Sequence, residues 1–165
     1  MVTKEKSPTG LRASYIGVLT DKDGRVKQVV EKKNLVVDAG LDELLNLAGG
    51  LSANHFGFIA MGLSAPTVTY ASVALGNEPG SGTFRKSTSN TISQNANNTT
   101  PAILRLQTTF NAGEATGGLT ESGIFNVSVK AAAGEAMLAA DTFAVINKGA
   151  SDVLTWTWEI TLQRV

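Results

Sequence analysis

Residues 154–163, LTWTWEITLQ, alternate strictly between apolar and polar side chains. The apolar positions are Leu154, Trp156, Trp158, Ile160 and Leu162. A period of two is typical of an antiparallel strand that has one face buried and the other in water. The stretch therefore predicts a half-buried final strand, with both tryptophans in the core of the domain.

Further short apolar stretches upstream indicate more strands. They cover residues 12–19, 26–31, 56–61, 68–75, 103–110 and 137–146. The first two flank Asp21-Lys22-Asp23-Gly24, whose Asp and Gly residues favour a turn, so they are predicted to form a hairpin. Loops are predicted at residues 77–82 and 148–151, and residues 87–100, rich in Ser, Thr and Asn, predict a loop or an exposed edge.

One helix is predicted, over residues 38–48. Asp38 is the expected N-cap, and Gly49-Gly50 is expected to end the helix. Apolar residues recur between them at helical spacing: Leu41, Leu44, Leu45 and Ala48. Many short strands with one short helix predict a mainly-β fold, an antiparallel β-sandwich or jelly roll.

The length of 165 residues fits one domain, predicted over residues 11–165. Residues 1–10, MVTKEKSPTG, are polar and contain Pro and Gly, which predicts a flexible N-terminal arm. We expect this arm to be disordered in isolation and to become ordered against a neighbouring subunit.

Composition argues against several classes of protein. There is no cysteine, so disulfides and thiolate metal sites are excluded. With 14 basic and 14 acidic residues, the chain lacks the long-range field of a protein that binds nucleic acid or an anionic membrane. No secretory signal peptide and no membrane-spanning stretch are predicted. Only 17% of residues are charged, which suits a surface that packs against neighbours.

No catalytic, cofactor or metal site is predicted, and we expect the protein not to be an enzyme. His55 is the only histidine, and beside Phe56 it fits a structural role at the start of a strand. Asp21-x-Asp23-Gly24 resembles the start of a calcium loop, but Val26 and Val29 stand where oxygen ligands are needed. Gly80-Ser81-Gly82 lacks the Lys and the hydroxyl residue of a phosphate loop.

Two surface interpretations remain open from sequence. Trp156 and Trp158 suit a stacking platform for sugars or bases, although their apolar face favours the core. Lys32-Lys33 and Arg85-Lys86 suit a basic patch, although zero net charge favours a solvated face or contacts with neighbours. The glycosylation patterns at Asn97, Asn98 and Asn126 are interpreted as chance matches, because no secretory signal accompanies them.

Several motifs in order resemble a widespread group of small tailed-bacteriophage virion proteins. They are EKKNLVVDAGL at residues 31–41, FIAM at 58–61, VALGNE at 73–78, LTESGIF at 119–125, MLAADTFAVINK at 137–148 and LTWTW at 154–158. The resemblance covers most of residues 30–165 and implies a β-sandwich that assembles on the particle, without catalytic residues. Within LTESGIF, Glu121 and Gly123 predict a sharp turn or bulge, where Glu121 accepts backbone N–H bonds or pairs with Lys148.

The resemblance, together with the low charge, leads to an expected function. We expect a capsid decoration (cement) protein that binds and stabilises the head shell, with the major capsid protein and copies of itself, as a homotrimer, for partners. It would be made in the host cytoplasm and reside on the capsid surface. The alternatives are a tail, baseplate or fibre component, or a carbohydrate-binding module for host attachment.

Overall fold

The computed structural model describes residues 10–93 and 101–162, which form nine strands and one helix. The elements are β1 (Leu11–Thr20), β2 (Val26–Val36), α1 (Asp38–Ala48), β3 (Phe58–Gly62), β4 (Arg85–Ser87), β5 (Ser89–Ser93), β6 (Ala102–Phe110), β7 (Gly117–Phe125), β8 (Met137–Lys148) and β9 (Val153–Leu162). All strand pairs are antiparallel. The predicted mainly-β antiparallel fold with one short helix is confirmed. Of the predicted arm, residues 1–9 lie outside the described residues.

The strands follow the order β4-β3-β7-β8-β2-β1-β9-β6-β5 in one nearly closed sheet. The sheet has two halves, which meet where β2 pairs with β8. That pairing covers only Leu35 with Ala140 and Val36 with Ala139. Consecutive strands β8 and β9 belong to different halves, so the turn between them carries the chain from one half to the other. The inner faces of both halves supply one main core cluster.

The final strand follows its predicted alternation. Leu154, Trp156, Trp158 and Ile160 are buried, and both tryptophans are 0% exposed. Tyr15 stacks on Trp156 with ring centroids 5.0 Å apart and meets Trp158 at 4.9 Å. The core interpretation of the two tryptophans is therefore confirmed. Leu162, at the end of β9, is 60% exposed, since the core ends before the strand does.

The helix has the predicted bounds, but its predicted N-cap is wrong. Val37 occupies the N-cap position and makes no side-chain cap, while Asp38 is already helical. The backbone N–H of Asp38 donates instead to the carbonyl of Tyr70. The helix packs on β8 through Gly40, because a Cβ there would meet the backbone of Leu138 at 2.5 Å. Beyond the C-cap at Gly49, Gly50 has a positive φ of 70°.

The hairpin of β1 and β2 is confirmed, with its turn at residues 21–24. The Asp21 carboxylate accepts the N–H groups of Asp23 at 2.8 Å and Arg25 at 2.9 Å. Gly24 takes the positive φ of 79° that closes this turn. The Asp-Gly pattern therefore forms a hairpin turn, and the Asp21 carboxylate binds backbone N–H groups, in place of the calcium ion that a calcium loop would hold.

One prediction in the middle of the chain is wrong, and another is only partly right. Residues 68–75 contain no strand but follow an irregular path. Residues 117–125 form the full strand β7, where a sharp turn or bulge was expected, and Gly123 pairs regularly with Ala60 and Ala140. The predicted irregularity is present in the β7–β8 pairing on either side of Gly123, where the register shifts between Leu119 and Glu121 and again between Ile124 and Phe125. The strand β7 was not predicted from sequence, because it contains three glycines and glycine is usually depleted in strands.

Candidate interaction surfaces

The residues singled out for chemistry are dispersed. His55 is exposed in the loop before β3, and residues 80–82 lie in the loop before β4. Asn126 is buried, donates to the Gly134 carbonyl at 2.9 Å and accepts from the Ala136 N–H at 2.7 Å. Asn97 and Asn98 lie outside the described residues. Across residues 10–93 and 101–162, no group of three His, Cys, Asp or Glu side chains is placed to hold a metal ion.

Arg85 cannot contribute to the basic patch considered from sequence, because it is buried. Its guanidinium donates two 2.6 Å hydrogen bonds to Glu78, donates a third at 2.9 Å to Glu135, and lies 3.9 Å from the ring centroid of Phe125. Burial alone lowers the pKa of Arg85, but the hydrogen bonds to both carboxylates outweigh it and hold this pKa above its ordinary value. The triad joins the loop before β4 to the loop after β7.

Lys86 and Lys32 also have acidic partners. Lys86 pairs with Glu114, and Lys32 pairs with Asp141. Local pairing with acids weakens the field that Lys32 and Lys86 would present to a polyanion. Because Arg85 is buried, the interpretation of this residue as part of a solvated face is wrong.

Glu121 is a buried acceptor for an irregular segment. Its side chain is 0% exposed and accepts the backbone N–H groups of Gly76 and Asn77 at 2.8 Å, and that of Ser64 at 3.3 Å. The hydroxyl of Ser64 also donates to it at 2.9 Å. The expected acceptance of backbone N–H bonds is confirmed, and the carboxylate thereby fixes both ends of the segment between Ser64 and Gly76.

The alternative pairing of Glu121 with Lys148 is wrong. Lys148 is 1% exposed, and its ammonium donates to the carbonyls of Asn111 at 2.9 Å and Asp152 at 2.7 Å. Burial lowers the pKa of Lys148, and the nearby Asp152 and Glu114 carboxylates offset this only in part. Lys148 thus closes the turn into β9 and has no reacting group as a partner.

The most distinctive surface lies where the two halves separate below their short pairing. We call it the β2–β8 seam, formed by residues 28–34 of β2 and 142–145 of β8. It contains a groove of about 470 Å³, lined by Tyr15, Val29, Val30, Glu31, Lys32, Ala65, Thr142, Phe143 and Ala144. No motif marks the seam in the sequence, because it depends on which distant strands meet and where they part.

A hydrogen-bonded cluster lies at the base of the seam. The Lys32 ammonium donates to Asp141 at 3.0 Å, and the Tyr15 hydroxyl donates to the same carboxylate at 3.3 Å. Burial raises the pKa of Tyr15, and the neighbouring Asp141 raises it further, so the hydroxyl remains a donor. The cluster is suited to holding β1, β2 and β8 together, and it presents no free nucleophile or acid–base pair.

Large apolar side chains are exposed around the described surface. The most exposed are Leu51, Leu45, Ile92, Val73, Val129, Val26, Tyr70 and Leu162. Val29 and Val145 are exposed on opposite sides of the seam. Among the Phe, Tyr and Trp residues that the structure describes, Tyr70 is exposed and the others are buried or half-buried.

Comparison with known proteins gave no match to a family model, to a curated protein or to a solved structure. None of the helices in the described part of the chain is both long and apolar enough to cross a membrane.

Proposed function

We propose that the protein is a structural component of a tailed-phage virion, a capsid decoration protein that binds and stabilises the head shell. The observation that carries the assembly part is the set of large apolar side chains exposed on a surface of low charge. Such surfaces are typical of protein–protein contact when several apolar groups lie together. The phage part depends on the resemblance of residues 30–165 and on no structural neighbour.

The internal organisation supports a binding role. The buried Arg85 triad and the Glu121 carboxylate fix irregular loops to the sheet through charged hydrogen bonds. Loops fixed in this way present a defined surface with little ordering cost on binding. Buried titratable groups such as Arg85, Glu121 and Lys148 serve structural contacts, which favours a binding protein over an enzyme.

The proposed partners are the major capsid protein and further copies of the chain, arranged as a trimer. Closed symmetry is the usual arrangement of identical subunits, and a threefold position on an icosahedral shell offers three equivalent seats. Many copies bridging shell subunits add stability in parallel, even where each interface is modest.

The test is to locate the protein on intact virions. Cryo-electron microscopy of particles with and without the protein should show added density on the shell, in hundreds of copies. Shells that lack it should release DNA at a lower temperature. Density restricted to the tail would contradict decoration and support the tail, baseplate or fibre alternative. Binding to host-cell glycans, with no protein on the particle, would support the carbohydrate-binding alternative.

A further inference from the structure

The β2–β8 seam leaves one side of a central strand without a strand partner. Alternate residues of an antiparallel strand turn their N–H and C=O groups to the same side. From Val26 to Asn34, groups on one side of β2 face β1, with which the strand pairs. Along the other side, pairing with β8 covers only Leu35 and Val36 in the described chain.

The opposing strand, β8, is also irregular at the seam. Between the pairs Leu119–Ile146 and Glu121–Thr142, β7 advances two residues while β8 advances four. Residues 143–145 of β8 therefore have no regular partner on β7. On its other side, β8 has no pairing with β2 at residues 142–145 of the described chain, so both strands that border the groove present backbone groups that an added strand would satisfy.

Side chains span the gap where backbone hydrogen bonds would otherwise join the two strands. The Gln28 amide donates to the Val145 carbonyl at 3.2 Å, and the Lys32 ammonium donates to the Thr142 carbonyl at 3.1 Å. Both donors are on long, flexible stems, and Lys32 is 52% exposed. An incoming backbone can replace these two bonds without unfolding either strand.

We propose that the seam accepts residues 1–9 of a second copy of the chain as an added β-strand. The inference rests on the proposed function, since it specifies how copies join in the assembly. Nine extended residues span about 30 Å, and the seam from Gln28 to Asn34 requires about 20 Å. Strand addition derives its affinity from backbone hydrogen bonds, so it does not require an apolar sequence in the segment.

The strand order favours a neighbouring copy as the source of the segment. β1 lies on one side of β2, and the seam lies on the other. The chain's own residues 1–9 would have to cross over β2 and reverse direction before entering the seam. A segment from a second copy enters without that crossing, so more of its nine residues are available for pairing.

Charge supports this occupant. Glu31 lines the groove and makes no ion pair within the part of the chain that the structure describes, while Lys32 is already paired with Asp141. The segment MVTKEKSPT contains Lys4 and Lys6 beside a single acid, Glu5. A net positive segment therefore meets an unpaired carboxylate at the seam.

The test uses the full chain, which has no cysteine of its own. A nitroxide on Ser7→Cys in an unlabelled copy should broaden the NMR signals of Glu31 and Val145 in a ¹⁵N-labelled copy mixed with it. Glu31→Lys should weaken self-association about fivefold, because it replaces an exposed attraction with a repulsion. Lys4→Glu with Lys6→Glu should weaken it similarly, and combining all three changes should restore it. Asp42→Lys, the same charge change on the exposed face of α1, should have no effect.

The results separate this inference from the proposed function. Absence of intermolecular broadening at the seam at millimolar concentration would overturn the inference, as would broadening seen only when the nitroxide and the ¹⁵N label are on the same copy. Failure of the charge exchange to restore association would overturn it too. None of these results depends on particles, so the protein can still prove to be a decoration protein. Conversely, density found only on the tail would remove that function and leave the seam contact intact.

Discussion

The indole ring of Trp156 lies directly against Gly17, in the space that a Cβ on residue 17 would occupy. Tyr15 stacks on the same ring, and Phe143 lies 4.8 Å from it between centroids, so the indole cannot shift aside easily. The absence of a side chain at residue 17 is therefore what allows the largest core residue to lie flat on β1.

Gly17→Ala should destabilise the protein by about 1–3 kcal/mol, because the added methyl overpacks the core against a fixed ring. Urea denaturation followed by circular dichroism measures the change. Gly80→Ala is the matched control, since a Cβ there meets no atom within 4 Å and φ is not positive. Equal stability of the two variants would contradict the packing argument.

Trp156→Ala and Trp158→Ala should each cost about 3–5 kcal/mol, as for other large aromatic residues in a core. Both side chains are fully buried in the native protein. Native fluorescence should therefore resist acrylamide quenching until the denaturation midpoint. Free quenching in the absence of denaturant would show that the indoles are accessible.

Glu121→Gln should lower stability by about 2–4 kcal/mol, because an amide has one acceptor oxygen, whereas the carboxylate uses two to accept the backbone N–H groups of Ser64, Gly76 and Asn77. Hydrogen exchange should accelerate first at Gly76 and Asn77, which donate to it. Glu31→Gln, at an exposed position, is the control. Uniform acceleration over the whole sheet would instead indicate global unfolding.

Arg85→Met should cost about 3–5 kcal/mol, because it leaves Glu78 as a buried and unpaired carboxylate. The double variant Arg85→Met with Glu78→Gln should recover much of that loss, since the partner then left charged is Glu135, which is more exposed than Glu78. A double-mutant cycle measured by urea unfolding gives the coupling energy. Additive losses would contradict the paired-charge account.

The contribution of Glu43 should depend on pH in the acidic range. The hydrogen bond from the Ser52 hydroxyl, at 2.6 Å, holds the pKa of Glu43 below its ordinary value. A lowered folded-state pKa gives stability that is complete above the unfolded pKa and is lost as pH falls through the folded value. Wild type should therefore exceed Glu43→Gln in stability at pH 7, and the difference should shrink as pH falls below the pKa of an unfolded glutamate. A difference that stays constant over that fall in pH would argue against a role for the charge.

Much of the fold follows from local patterns in the sequence. The alternation around Trp156 predicts β9, and the Asp-Gly turn predicts the first hairpin. Leucine spacing predicts α1, and Gly49-Gly50 predicts where it ends. These features depend on neighbours within a few residues. The strand prediction for residues 68–75 was wrong because their path depends on Glu121, which lies more than forty positions away in the sequence. Its carboxylate accepts the backbone N–H groups of Gly76 and Asn77.

The candidate surface was much less predictable than the fold. Glu121 was expected to accept backbone N–H groups, but the Arg85 triad and the seam were not foreseen. An arginine is expected to be exposed unless acidic partners are known. The partners that allow Arg85 to be buried, Glu78 and Glu135, lie in separate loops, so the sequence around Arg85 does not indicate its burial. The seam arises from where β2 and β8 part, and strand register between distant segments leaves no local pattern.

The pairing of β1 with β9 also determines when the protein can fold. The paired residues are more than 130 positions apart, and β9 also provides the edge on which β6 docks. During synthesis, this half of the sheet must therefore remain incomplete until β9 has left the ribosome. Contacts of such long range slow folding, so we expect this half of the sheet to form late, once β9 is available for pairing.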